Sequence, residues 1–303
     1  MTQPLPRVAF LGIGLMGAPM IRNLLDAGFP MTLWNRTARK CEPFSEEATI
    51  AGTPSEAVAD ADVVILMLEN GTVVHQVLVE REVISSLQAG ATVIDMSSIP
   101  PALARDHGQR VEARGCHYLD APVSGGTAGA QTARLSVMVG GDADIMTAQA
   151  PIFAALGKPT HIGPIGSGQL AKLANQAIVG ITIGAVSEAL LLAARGGAKP
   201  EAVREALMGG FAGSKILEVH GQRMLDRDFA PGAPARIQLK DMAMILDEAR
   251  AEKLTLPLAQ QVHNEYLALI ANGHTEVDHS GLLLELEHIN GVQLDSRHLV
   301  TGG

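Results

Sequence analysis

"RVAFLGIGLMGAPMIRNLLDAG", residues 7–28, opens as a buried-strand run and passes directly into helical spacing that closes at Gly28. At the junction stands G-x-G-x-x-G: Gly12, Gly14 and Gly17. A chain with 32 glycines produces that pattern by chance, so only its position makes it specific. It follows a strand, starts a helix, and lies within about 30 residues of the next strand, "MTLWNR". Gly12 would permit the tight turn, Gly14 the approach of backbone to a pyrophosphate, and Gly17 close helix–strand packing. Leu15 and Met16 complete the turn. The pyrophosphate would then sit on the helix N-terminus, where N–H groups and the dipole favour anions.

The end of the second strand selects the dinucleotide. An acidic residue there would hold the ribose 2′-hydroxyl of NAD and repel a 2′-phosphate. Asn35, Arg36 and Thr37 stand there instead. Arg36 can pair with a phosphate and stack on adenine, with Asn35 and Thr37 as donors. The expectation is NADP(H), with NAD(H) as the alternative. As a bare loop charge, Arg36 would say nothing about the cofactor.

Working outward, "ADVVILML", "ATVIDMSS", "HYLDAPV" and "LSVMVGG" supply four further strands, most separated by helical segments, and "PTHIGPIG" ends the series near Gly166. That alternation predicts a Rossmann-type, mostly parallel sheet covered on both faces. After Gly166 strand signals almost vanish. One helix, about residues 168–195, is apolar on nearly every face and is expected in the interior. Helical patterns continue to about Asn290. The fold class is therefore α/β followed by an all-α domain, joined by a long helix. Residues 1–165 would bind NADP, residues 166–295 would form the substrate and oligomerisation domain, and 296–303 a loosely ordered tail.

Composition sets the outer limits. The 303 residues are 47% hydrophobic and 18% charged, which excludes a disordered chain, and 3% aromatic, so aliphatics and methionine must build the core. A net charge of −9 argues against nucleic acid or an anionic membrane as partner, while leaving room for a small anionic substrate. Cys41 and Cys116 offer neither a disulfide framework nor a metal spacing, and no signal-peptide pattern opens the chain. A cytoplasmic protein is expected. Glu188 interrupts the longest apolar run, Ala177–Ala194, which favours a buried helix over a membrane span.

Two polar stretches remain. "DAPVSGGTAGA", residues 120–130, follows a strand; Ser124, Gly125 and Gly126 offer a hydroxyl and two unhindered N–H groups. It can be a carboxylate cradle or only a flexible turn. "SGQLAKLANQ", residues 167–176, sets Lys172 within an apolar segment. Its ammonium either reaches solvent along the helix or serves chemistry.

"GLMGAPM", "DAPVSGGTAGA", "GSGQLAKLANQ" and "IQLKDM" occur in the order and spacing of the β-hydroxyacid dehydrogenase family, and the resemblance runs from about residue 7 to 290. That family includes 3-hydroxyisobutyrate dehydrogenases, tartronate semialdehyde reductases and 6-phosphogluconate dehydrogenases. "DMSSI", "KLANQ" and "MLDRDFAPG" look most like the tartronate semialdehyde (2-hydroxy-3-oxopropionate) reductase branch. The resemblance implies an enzyme interconverting a short 3-hydroxy acid and its semialdehyde, lead pair glycerate and tartronate semialdehyde. A 3-hydroxyisobutyrate dehydrogenase, a reductase with imine-reducing side activity, and an NADP-binding protein without turnover are the alternatives.

It further implies that Lys172 is the catalytic acid/base, that Ser124, Gly125 and Gly126 hold the substrate carboxylate, and that Asn175 and Gln176 orient substrate from one turn further on. Lys240 would lie beside the cofactor, and Leu68 and Ser98 would border the ribose and nicotinamide. A homodimer or homotetramer is expected from the apolar helical domain. "HTEVDHS", residues 274–280, invites a metal reading, yet its spacing fits no ligand pattern and Asp278 or Ser280 can cap the following helix, so no metal is expected. Asp120 reads as a strand-end structural residue.

Overall fold

A computed structural model describes residues 4–294; the expected tail lies outside them. The chain divides into two compact units at Lys172/Leu173, inside the long helix rather than just before it.

The first unit is built on a nine-stranded sheet. In chain order its strands are β1 (Val8–Leu11), β2 (Met31–Trp34), β3 (Thr49–Ile50), β4 (Val63–Leu66), β5 (Thr92–Asp95), β6 (His117–Asp120), β7 (Val123–Ser124), β8 (Leu135–Gly140) and β9 (Gly157–Gly163). They lie in the order β3-β2-β1-β4-β5-β6-β8-β7, with β9 paired to β8. From β3 to β6 all pairings are parallel. β8 runs antiparallel to β6 and β7 and parallel to β9.

Side-chain alternation explains the continuous apolar runs. Val8 and Phe10 pack with Met20, Ile21 and Leu24 on one face. Ala9 and Leu11 pack with Val74, Val77 and Leu78 on the other. A strand covered on both faces must be apolar throughout. "HYLDAPV" differs from the expected single strand: Pro122 lacks the N–H a ladder needs, so β6 stops at Asp120 and β7 turns to pair with β8. β3 escapes the sequence pattern because both its residues are exposed.

In the second unit, helices Pro200–Met208, Lys215–Asp226, Ala235–Ala251, Pro257–Ala271 and Leu282–Asn290 pack with the long helix, Ser167–Arg195, around Leu190, Met224, Met242, Tyr266 and Leu283. The expectation that the long helix is interior is corrected. Only 44% of its most apolar stretch is buried, and Ile178 and Leu192 are 68% and 76% exposed. Its neighbours cover the side carrying Ile183, Val186 and Leu190 and leave the rest open.

Candidate active site

The turn after β1 is enforced by crowding. Gly12 has φ +111°, and a Cβ there would stand 2.3 Å from the Met67 carbonyl oxygen. A Cβ on Gly17 would stand 2.1 Å from the Gly12 carbonyl oxygen. Gly14 is exposed and faces open space, as does the Leu15 side chain, 70% exposed; Met16 is half-buried. Helix Gly17–Asp26 begins without a side-chain cap and without an acidic residue in its first turn. Its first N–H groups therefore suit an anion.

A cavity of about 200 Å³ adjoins this turn, lined among others by Gly14, Asn35, Arg36, Thr37, Lys40 and Arg81. Asn35 accepts from Ile13 N–H at 2.9 Å and donates to the Thr37 carbonyl at 3.0 Å. Its amide thus fixes two loops against each other through its oxygen and one of its two N–H donors. Arg36 and Thr37 are exposed. Lys40 and Arg81, neither singled out in the sequence, bring two more cations to the wall, with one carboxylate, Glu69. Lys40 sits one turn beyond Arg36 in a visibly basic stretch; Arg81 comes from a distant segment and lies over the Trp34 ring at 5.8 Å. Leu68 closes the turn from the β4 side, its Cδ2 2.8 Å from where a Gly12 Cβ would be. The wall thus has the glycine turn, uncapped helix and cations that a nicotinamide dinucleotide requires.

Lys172 is half-buried, and its Nζ donates to the Val123 carbonyl oxygen at 2.9 Å. That carbonyl belongs to the peptide joining Val123 to Ser124, so the ammonium stands beside Ser124, Gly125 and Gly126. Gly125 and Gly126 have φ of +134° and +61°, conformations that keep side chains off the cradle. Asp120, fully buried, accepts from Gly166 N–H at 2.7 Å and Gln169 N–H at 2.8 Å, which caps the start of the lysine-bearing helix. Burial pushes the Asp120 carboxyl up to about 6. Ser98 is half-buried in the loop after β5, whose neighbour Ser97 accepts from Leu68 N–H at 3.0 Å.

In the second unit, Asn175 donates to Gln176 at 2.8 Å, and Gln176 donates to Asp241 at 2.6 Å. Lys240 pairs with Asp241 at 3.3 Å. Gln176, expected to orient substrate from one turn beyond Lys172, accepts here from Asn175 and donates to Asp241 of helix Ala235–Ala251. Asp241 is an ion-pair residue in the interior of that helix.

Among the described residues, two groups bring histidines and a carboxylate within 4.8 Å: His75, Asp106, His107, and His220, Asp278, His279. Asp278 is occupied structurally, accepting from Ser280, Gly232 and Ala233. Burial holds His107 and His279 down at about 4. A wider cleft of about 850 Å³ in the second unit carries none of the expected site residues.

Residues 7–166 match the family described as the NAD binding domain of 6-phosphogluconate dehydrogenase. Residues 166–286 match the one described as NAD-binding of NADP-dependent 3-hydroxyisobutyrate dehydrogenase. Over 93% of its length the chain is 41% identical to 2-hydroxy-3-oxopropionate reductase of Escherichia coli K12, covering 97% of that protein. It is 32% identical to an NAD-dependent L-serine dehydrogenase of Pseudomonas aeruginosa, covering 90% of this chain and 95% of that one. Among solved structures, Mycobacterium tuberculosis 3-hydroxyisobutyrate dehydrogenase with L-serine superposes with a TM-score of 0.85 at 31% identity, covering 93% of this chain and 99% of that one. The chain belongs to the β-hydroxyacid dehydrogenase family and is an NAD(P)-dependent oxidoreductase.

Proposed function

We propose that the protein interconverts a short 3-hydroxy acid and its semialdehyde with NADP(H), the lead pair being glycerate and tartronate semialdehyde. The contact of Lys172 with the Val123 carbonyl carries this reading, because it sets one proton-bearing group beside a small anion cradle. A carboxylate on Ser124, Gly125 and Gly126 would turn the neighbouring carbon's oxygen toward Nζ. Bound nicotinamide supplies or accepts the hydride. In reduction Lys172 gives its proton to the carbonyl oxygen; in oxidation it takes the hydroxyl proton. Arg36, Lys40 and Arg81 support a 2′-phosphate on the cofactor. Likeness to the Escherichia coli reductase supports the lead substrate, and likeness to the Mycobacterium tuberculosis enzyme favours 3-hydroxyisobutyrate as the second reading.

The test is kcat/KM for tartronate semialdehyde and methylmalonate semialdehyde, each with NADPH and NADH. Preference for the first with NADPH is expected. Preference for methylmalonate semialdehyde transfers the protein to the second reading, and turnover of neither removes the substrate assignment. Exposed Ile178 and Leu192 support association through the long helix as a homodimer or homotetramer. Sedimentation showing only monomer would remove that.

A further inference from the structure

Gln169 stands one helical turn before Lys172 and is 1% exposed. Its carboxamide grips the backbone of the loop after β5. Ile99 N–H donates to Oε1 at 3.1 Å, and Nε2 donates to the Ser97 carbonyl at 2.8 Å. The two bonds bracket Ser98. Ser97 in turn donates its N–H to Asp95 at 3.0 Å, while its hydroxyl accepts from Leu68. One side chain therefore ties the lysine-bearing helix to the ends of β4 and β5.

Holding the helix start does not require this amide. Asp120 already accepts from Gly166 and Gln169 N–H. Backbone packing is also tight there: a Cβ on Gly168 would stand 2.4 Å from the carbonyl oxygens of Asp120 and Met138. An apolar side chain could fill the space, but it would leave Ile99 N–H and the Ser97 carbonyl without these bonds. What the amide adds is a fixed distance between the Lys172 turn and the Ser97–Ile99 loop.

We propose that Gln169 is a positioning residue for the reaction, locking Lys172 in register with the Ser97–Ile99 loop. This rests on Lys172 being the proton donor. Proton transfer needs the reacting oxygen within hydrogen-bond reach of Nζ, and a misplacement of about 1 Å costs up to about a hundredfold in rate.

Two variants test it, assayed with whichever semialdehyde gives the higher kcat/KM. Gln169→Met keeps length and loses both bonds. It should lower kcat about ten- to hundredfold, raise the primary deuterium isotope effect from deuterated NADPH, and leave NADPH affinity unchanged. Gln169→Glu supplies a second acceptor toward the Ser97 carbonyl when ionised. Protonated, it regains a donor for that carbonyl and keeps an acceptor for Ile99 N–H. Its kcat relative to wild type should therefore recover as pH falls from about 8 to about 5.

A Met variant with wild-type kcat and isotope effect, or a Glu variant whose ratio to wild type is flat with pH, overturns the proposal. A purely structural role would lower Tm and leave both readouts unmoved. If the Met variant does not fold, the Glu ratio decides alone. Turnover retained by Lys172→Ala would instead remove the parent reading, whatever the Gln169 variants do.

Discussion

Two glycine turns follow strands and open helices in the same sheet, yet glycine is present for different reasons. At Gly12 and Gly17 a side chain would collide with backbone 2.3 and 2.1 Å away. At Gly126 a Cβ meets nothing within 4 Å, and Gly125 makes only ordinary contacts; there the positive φ is what demands glycine. The charges differ as well. Arg36, Lys40 and Arg81 line the cavity beside the first turn, whereas one ammonium, Lys172, stands at the second. A crowded turn with several cations suits a large multiply charged anion, and an open turn beside the Lys172 ammonium suits a single small carboxylate. The first turn is legible as a motif because its constraint is local; the second gains meaning only from a lysine distant in sequence.

Removing the Lys172 ammonium should separate the two turns most sharply. Lys172→Ala is expected to lower kcat roughly a hundredfold or more while NADPH still quenches or enhances fluorescence on binding as in wild type. Near-normal turnover would leave the second turn without its proposed chemistry.

Arg36→Asp acts on the other turn. It should reverse the preference for NADPH over NADH, by about ten- to hundredfold for a lost charge-assisted phosphate contact replaced by repulsion. kcat with saturating cofactor should change little. A preserved preference would assign the 2′-phosphate to Lys40 and Arg81.

A matched pair of alanine substitutions sharpens the contrast. Gly125→Ala should cost about 1–3 kcal/mol of backbone strain, read as a raised KM for the semialdehyde with unchanged NADPH affinity. Gly12→Ala must displace the Met67 carbonyl and should weaken NADPH binding instead. If both variants lost the same ligand, the division of labour between the turns would fail.

Much of this arrangement is readable in the chain. Strand–helix alternation, the helical second unit and each long helix follow from periodicity and from turn residues at their ends. What escapes depends on neighbours. β3 is two exposed residues with no apolar pattern. Pro122 divides an apparently continuous strand. The long helix is apolar all round, and no periodicity says which side its neighbours cover. Arg81 reaches the cavity beside the first turn from a distant segment, and Gln176 bonds to Gln238 and Asp241, over 60 residues on. Buried Asp120 and Gln169 sit inside the recognisable motifs, but their hydrogen bonds to other elements give them their roles.

The smallest expected effect concerns the buried carboxylates beneath the second turn. Asp95 and Asp120 lie opposite each other on β5 and β6, both fully buried. Burial pushes Asp95 up to about 6, against partial opposition from hydrogen bonds of Ser97 and Tyr118. An acid whose folded value exceeds its unfolded one binds more protons when folded. Its stabilising contribution is therefore complete below about 4 and is lost as pH rises through about 6, by up to about 3 kcal/mol. Asp95→Asn removes that titration while keeping an acceptor for Ser97 N–H, and the Tyr118 hydroxyl can rotate to accept from the new amide. Tm of the variant minus Tm of wild type should thus increase from about pH 4 to about pH 7. Parallel curves would mean that Asp95 is ionised at its ordinary value. The second turn would then rest on a charged strand end like any exposed one.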